Sequence, residues 1–147
     1  MSFRQTLWGG ILTSLLMWLS AALLAGTPAH SWEKVVFHLD ETANARWALM
    51  LARSYLDDSP AAKIVFVAYG PGVDFLLDDA KDKRANPYDH AVLVLVDRGV
   101  EFRVCSDTLD AREMKEKDFL DDVRFVPSGI SEIARLQIKE GYAYLKP

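Results

Sequence analysis

Short apolar runs occur along the chain, separated by segments in which apolar residues recur every three or four positions. Residues 34–39 and 63–69 are nearly continuous runs of β-branched and aromatic residues, which is typical of strands buried on both faces of a sheet. Shorter runs at residues 101–104, 123–126 and 142–145 indicate three further strands. The apolar pattern therefore predicts five short strands.

The segment after the first strand carries the signals of an amphipathic helix. Small and apolar residues recur there at helical spacing, at Ala45, Ala48, Leu49, Ala52 and Leu56. Asp40, Glu41 and Thr42 precede them and are expected to supply an N-cap and negative charge to the start of the helix. The sequence Asp-Asp-Ser-Pro at residues 57–60 is expected to end the helix.

Three later segments are also interpreted as helical. Residues 73–83 place apolar residues on one side and charges on the other, which predicts a short helix. Residues 107–119 are densely charged and predict a solvated helix or a helical loop. Residues 130–137 predict a helix that ends at Gly141.

Residues 88–97 fit two structures when only local signals are considered. Their apolar run has strand propensity, and residues 97–99 could form a hairpin turn into the next strand. Asn86 as N-cap, Pro87 at the first helical position and Gly99 just past the end favour a helix instead. Across the rest of the chain, strands alternate with helices, which predicts an α/β fold with a parallel sheet between helix layers.

The N-terminal segment differs from the rest of the chain. Residues 7–26 form an almost uninterrupted apolar run, and the small residues after it place an expected signal-peptide cleavage after Ala29, with Ser31 as the second choice. An uncleaved membrane anchor is the alternative, because the run approaches the roughly 20 residues that a membrane helix needs. We therefore expect residues 1–29 to direct export, for example to the periplasm, and residues 33–147 to form the domain. Contact with a membrane is expected only through an uncleaved leader.

The charge balance argues against nucleic acid as a partner. The chain has 17 basic and 21 acidic residues, and without Arg4 of the leader the net charge is −5. Lysine and arginine are scattered among the acidic residues and form no basic patch with interleaved aromatics.

Cys105 is the only cysteine and follows directly on a predicted strand. Free cysteines are often buried as small apolar side chains, so a structural role is one interpretation. An exported protein usually pairs its cysteines, however, and a single one is left for intermolecular pairing or reactivity. We therefore take Cys105 as the candidate catalytic residue.

Other candidate residues also follow the predicted strands. In a parallel sheet the carboxyl ends of the strands share one edge, which is where ligands bind. This reasoning predicts that Cys105 shares an anion- or ligand-binding edge with Asp40, Gly70, Gly72, Ser106, Thr108 and Ser128. The Gly-Pro-Gly sequence at residues 70–72 is interpreted as a plain turn rather than a phosphate loop, because it lacks the third glycine of a dinucleotide fingerprint.

No metal site is expected. His30, His38 and His90 are far apart in sequence and share no ligand spacing with Cys105. His38 lies inside an apolar run and is interpreted as a core histidine with satisfied hydrogen bonds.

Four stretches carry a family resemblance. They are Lys-Ile-Val-Phe-Val-Ala-Tyr-Gly-Pro-Gly at residues 63–72, Gly-Val-Glu-Phe-Arg-Val-Cys-Ser-Asp-Thr-Leu at residues 99–109, and residues 126–137 and 141–147. In these stretches the chain resembles the exported branch of the DsrE/DsrF-like family of sulfur-relay-type proteins. The resemblance implies a three-layer α/β/α fold with a five-stranded parallel sheet, a helix at residues 88–97, and homo-oligomers such as trimers or hexamers.

The resemblance also implies a chemistry for Cys105. In the sulfur-transfer members a cysteine accepts sulfane sulfur as a persulfide and passes it to a partner protein, without a cofactor, and Cys105 matches that position. Residues 106–110 hold no second cysteine, so the sulfur would pass to another protein or to a small thiol. The first hypothesis is thus an exported sulfur carrier. The alternative is a non-enzymatic binding or assembly module in which Cys105 is only packed.

Overall fold

A computed structural model describes residues 33–147 as one parallel sheet with helices on both faces. The strands are β1 (Lys34–Leu39), β2 (Lys63–Ala68), β3 (Glu101–Cys105), β4 (Val123–Val126) and β5 (Ala143–Leu145). Their order across the sheet is β4-β3-β2-β1-β5, and every pair is parallel. The five predicted strands and the parallel sheet are therefore confirmed.

Within residues 33–147, four α-helices and three short 3₁₀ helices connect the strands. The α-helices are α1 (Ala45–Asp58), α2 (Asp89–Val96), α3 (Ser106–Ala111) and α4 (Gly129–Glu140). The 3₁₀ helices are Thr42–Asn44, Gly70–Leu76 and Glu116–Asp118. Among residues 33–147, no helix combines the length and apolar character needed to cross a membrane. The predicted signal peptide or anchor lies outside the described residues.

The larger core lies on the sheet face covered by α1 and α2. Phe37, Phe66 and Phe102 stand side by side in the register of β1, β2 and β3, and neighbouring ring centroids are 4.9 Å apart. All three rings are essentially inaccessible to solvent. Since side chains alternate between the two faces of a strand, this row of rings also determines which residues face the opposite side.

The opposite face is covered by α4, which completes the three layers. Val36, Val65 and Val67 pack there against Ile133 and Leu136 of the helix. An ion pair between Arg103 of β3 and Glu132 of α4 adds to this contact. The pKa of the Glu132 carboxyl lies below its ordinary value, mainly because Arg135 donates a hydrogen bond to it. The ion pair between Arg103 and Glu132 is therefore fully charged at neutral pH.

The structure decides residues 88–97 in favour of a helix, as the resemblance implied. Helix α2 buries Val92 and Leu95, which lie three residues apart on one side, and leaves Leu93 partly exposed. A strand would have placed Val92 and Leu95 on opposite faces of the sheet. The helix starts later than its punctuation suggested, because Tyr88 and not Asn86 is the N-cap residue.

The first helix is confirmed, but its predicted cap is wrong. A 3₁₀ turn at Thr42–Asn44 precedes α1, and no side chain caps either element. Instead of capping, the Thr42 hydroxyl donates a hydrogen bond to the carbonyl oxygen of Pro71, at 2.6 Å. This contact with a segment remote in sequence overrides the local preference of threonine for an N-cap.

One further helix prediction is wrong in extent, and another is decided between its two alternatives. The predicted helix at residues 73–83 is a 3₁₀ helix that ends at Leu76, because Val73, Phe75 and Leu76 are all buried within one short segment. The charged segment at residues 107–119 forms only the short helix α3 before the chain turns at Glu113, where φ is 55°. With the 3₁₀ helix at Glu116–Asp118, this segment is the predicted helical loop and not a solvated helix, and Leu109 is buried.

The contact between α4 and the sheet can be tested with a matched pair of substitutions. Leu136 is fully buried and Ile138, two residues later, is 82% exposed. We expect Leu136→Ala to reduce the free energy of unfolding by about 2–5 kcal/mol, because it leaves a cavity against β1 and β2. Ile138→Ala is expected to change it by no more than about 0.5 kcal/mol. Equal effects in urea denaturation would contradict the position of α4.

Candidate functional site

A cavity of about 310 Å³ opens at the C-terminal edge of the sheet, where β2 and β3 end and α4 begins. Its wall comes from the segment after β2, from Cys105 and helix α3, and from the first residues of α4. The lining residues are Tyr69, Gly70, Cys105, Asp107, Thr108, Ala111, Arg112, Ser128 and Ile130. We call this space the Cys105 cavity.

Cys105 is the last residue of β3 and the N-cap residue of α3. Its side chain is 5% exposed, and its Sγ lies 4.0 Å from the carbonyl oxygen of Pro127, which is the distance of a weak thiol hydrogen bond. Gly129 of α4 allows this approach, because a Cβ there would lie 3.2 Å from the Cβ atoms of both Cys105 and Tyr69. The thiol is therefore a deep part of the cavity wall.

Thr108 joins helix α3 to the segment after β2. Its Oγ1 accepts a hydrogen bond from the backbone N–H of Gly70 at 2.9 Å, and its side chain is 8% exposed. Gly70 adopts a φ of 54°, a left-handed conformation that glycine tolerates best, and this conformation aims its N–H at Thr108. The contact fixes two walls of the cavity relative to each other.

Arg112 is a cavity residue that the sequence analysis missed. Its Nη1 donates to the Asp74 carboxylate at 2.7 Å and to the carbonyl oxygen of Gly70 at 3.1 Å. A signal for it exists in the sequence, since Cys105, Thr108 and Arg112 are spaced three and four residues apart and so share one side of a helix. Its ion-pair partner, in contrast, is remote in sequence.

Of the six other residues predicted for this edge, three lie in the cavity wall beside Cys105. These are Gly70, Thr108 and Ser128. Ser106 lies in α3 outside the wall. Asp40 follows β1 and forms an ion pair with Lys146. The hydrogen bond that Lys146 donates in this pair is the main reason that the pKa of the Asp40 carboxyl is below its ordinary value.

Gly72 is also outside the cavity, and its role is steric. A Cβ at this position would lie 2.3 Å from the carbonyl oxygen of Leu39, so glycine is needed where the 3₁₀ helix crosses the end of β1. The Gly-Pro-Gly sequence begins that 3₁₀ helix and is not a plain turn.

His38 lies behind the cavity wall, in contact with Tyr69. Its ring stacks on the Tyr69 ring with centroids 4.7 Å apart, and its Nδ1 shares a hydrogen bond with the Tyr144 hydroxyl at 2.6 Å. The core location is as predicted, but Nε2 is buried without a partner among the described residues, so the prediction of satisfied hydrogen bonds is wrong. Burial lowers the pKa of His38, and the Asp40 carboxylate opposes this shift.

Within residues 33–147, no group of three or more His, Cys, Asp or Glu side chains is placed to hold a metal ion. Three other cavities of similar size occur on the described surface, and Cys105 lines none of them. One lies between α1 and β5, where Leu51, Tyr55 and Leu145 make its wall mainly apolar. Of these four cavities on the described part of the chain, the Cys105 cavity is the one that contains the thiol.

The fold and the site define a small three-layer α/β protein with a single thiol at the C-terminal end of its third strand. The chain belongs to the DsrE/DsrF-like family, whose family model matches residues 33–147. No curated protein shows significant similarity to it.

The solved structures that are similar to this chain include the following two proteins. Protein MTH1491 from Methanobacterium thermoautotrophicum, described as a protein of unknown function, is 36% identical, with a TM-score of 0.70 over 78% of this chain and 99% of that one. The ychN protein from E. coli is 15% identical, with a TM-score of 0.66 over 78% of this chain and 99% of that one. The second match bears on the fold alone.

The steric role of Gly72 can be separated from a ligand-binding role by substitution. We expect Gly72→Ala to reduce the free energy of unfolding by about 1–3 kcal/mol or more, because the new methyl group meets rigid backbone. Gly129→Ala is the control, since its Cβ contacts are 3.2 Å and a smaller loss should follow. A Gly72→Ala protein with unchanged urea denaturation would contradict the close approach to Leu39.

The burial of His38 predicts a pH dependence of stability. Because the folded-state pKa lies below the ordinary value of 6.5, the unfolded chain binds more protons in the window between the two pKa values. Stability should therefore fall as the pH drops below 6.5. We expect the loss between about pH 7.5 and about pH 5.5 to be smaller in His38→Gln, measured by urea denaturation. An identical loss in both proteins would show that His38 is not its source.

Proposed function

We propose that this protein is an exported sulfur carrier that accepts sulfane sulfur on Cys105 and passes it to a partner protein or a small thiol. The observation that carries this proposal is the position of Cys105, the only cysteine, in the wall of a cavity of about 310 Å³ at the C-terminal edge of the sheet. Membership of the DsrE/DsrF-like family supports a sulfur-relay role for this fold.

The proposed reaction is a displacement at sulfur. The Cys105 thiolate attacks the outer sulfur of a persulfide R–S–SH, the S–S bond breaks, and R–S⁻ leaves. Cys105 then carries the persulfide Cys–S–SH, and no net oxidation takes place. In the onward step an acceptor thiolate attacks the outer sulfur, and the Cys105 thiolate is the leaving group.

The lack of a second cysteine constrains how the sulfur leaves. An internal thiol would attack the persulfide and close a disulfide, but this chain has none to offer. The persulfide therefore persists until an external thiol reaches it. Thr108 and Tyr69 line the cavity beside Cys105, where the outer sulfur would lie.

Export and assembly are part of the same proposal. The apolar run at residues 7–26 supports transport out of the cytoplasm, for example to the periplasm. A homo-oligomer, either a trimer or a hexamer, is the proposed assembly, and the sulfur donor and acceptor are its proposed partners.

A second candidate function is a binding or assembly module in which the cysteine is structural. The observation that favours it is the burial of Cys105, which is 5% exposed and close to the Pro127 carbonyl oxygen. On this alternative the cavity would hold a small ligand without forming a covalent bond.

Intact-mass spectrometry of the full chain tests the carrier function. We expect brief exposure to the persulfide of 2-mercaptoethanol to add the mass of one or more sulfur atoms, and dithiothreitol to remove it. Because the chain has one cysteine, Cys105→Ser should abolish the adduct while leaving the circular dichroism spectrum unchanged. Absence of the adduct on folded wild-type protein would reject the carrier, as would an adduct that survives in Cys105→Ser.

A further inference from the structure

The charged groups around the Cys105 cavity indicate which sulfur donors it accepts, and this inference rests on the proposed carrier function. Two charged side chains, Asp107 and Arg112, line the cavity. Their charges have opposite signs. The net charge of the wall therefore depends on whether each of them forms an ion pair with a residue outside the wall.

The positive charge of Arg112 is already matched. Its guanidinium forms an ion pair with Asp74 at 2.7 Å, and the same nitrogen also donates to the Gly70 carbonyl oxygen. The Arg112 and Asp74 side chains are each about one-third exposed, and Arg112 lines the cavity. A donor entering the cavity therefore meets a neutral pair at this position.

The negative charge of Asp107 has no such match. Asp107 is exposed, and no salt bridge to it occurs among the described residues. It lies in the first turn of α3, two positions after Cys105, and lines the same cavity. Taken together, the lining residues and Asp74 therefore carry one net negative charge, that of Asp107.

The remaining wall is neutral and largely apolar. Tyr69, Ala111 and Ile130 contribute carbon surface, and Ile130 is 66% exposed at the mouth. Thr108 is the buried polar side chain of the wall. Its Oγ1 accepts from Gly70, and no acceptor for its own proton occurs within residues 33–147. The spare hydroxyl proton provides one uncharged hydrogen-bond donor to a ligand.

We propose that the Cys105 cavity accepts sulfur from small organic persulfides whose organic part is uncharged or cationic, and selects against anionic donors. An anionic organic part would be repelled by Asp107 without gaining a free cation in return. An uncharged one would instead pack against Tyr69 and Ile130. Asp107 is the residue that sets this specificity.

A series of donors that differ in charge tests the proposal. The persulfides of cysteamine, 2-mercaptoethanol, mercaptoacetate and mercaptosuccinate share the reacting S–SH group and carry organic parts of increasing negative charge. The rate of adduct formation on Cys105 is measured by mass spectrometry for each donor. The rate for each donor is divided by the rate at which the same donor transfers sulfur to N-acetylcysteine amide, an uncharged thiol. This ratio removes differences in the intrinsic reactivity of the donors.

We expect the normalised rate to fall by roughly fivefold for each added negative charge at low ionic strength, and the differences to shrink at high salt. Asp107→Asn should flatten the series. Asp110→Asn, which removes a charge from an exposed position of α3 outside the cavity wall, should leave most of the selectivity in place.

The outcomes distinguish this inference from the proposed function. If all donors load Cys105 at the same normalised rate, or anionic donors load it faster, the selectivity is refuted while the carrier function stands. If Asp107→Asn and Asp110→Asn flatten the series equally, Asp107 is not the specificity residue. If no donor forms an adduct, the carrier function itself fails.

Discussion

The stack of Phe37, Phe66 and Phe102 is the interaction on which the position of the site depends. The three rings lie in one row across β1, β2 and β3, with neighbouring centroids 4.9 Å apart. Tyr69 and Cys105 each follow a ring of this row by three positions and therefore point to the opposite face. A slip of one residue between β2 and β3 would turn Phe102 towards the α4 face and turn Cys105 away from α4.

This register explains why a buried thiol and an aromatic wall meet at the edge of the sheet. Tyr69 and Cys105 leave adjacent strands at the same level, and Gly129 lets the first turn of α4 pack against both. The hydrogen bond between Gly70 and Thr108 then closes the other side of the cavity. The site is thus formed by strand ends that are fixed by packing in the core, while its charged residues lie at the mouth.

Much of the fold could be predicted from the sequence because buried parallel strands leave an obvious pattern. The runs at residues 34–39 and 63–69 predicted β1 and β2 closely, and Cys105 was placed at a strand end. Local signals failed where contacts remote in sequence decide the structure. Thr42 donates a hydrogen bond to Pro71 instead of capping α1. Residues 88–97 form a helix because Val92 and Leu95 both pack into the larger core.

The same limit applies to the candidate site. Gly70, Thr108 and Ser128 were predicted from strand ends alone, because parallel strands bring their carboxyl ends together. Asp40 and Gly72 also follow strands but lie outside the cavity wall. Asp40 forms an ion pair with Lys146, and Gly72 packs closely against the backbone of Leu39. The pairing of Arg112 with Asp74 could not be predicted from the sequence, since the two residues belong to separate connections.

The central claim is that a small molecule reaches the Cys105 thiol through the cavity in the folded protein. Alkylation by iodoacetamide, which is uncharged, tests this claim most directly when its rate is compared in native and urea-unfolded protein. We expect modification of Cys105 in the native protein at concentrations of urea far below the unfolding transition, with a rate independent of the free energy of unfolding. A thiol that reacts only in step with global unfolding would show that Cys105 is a packed core residue and would contradict the account.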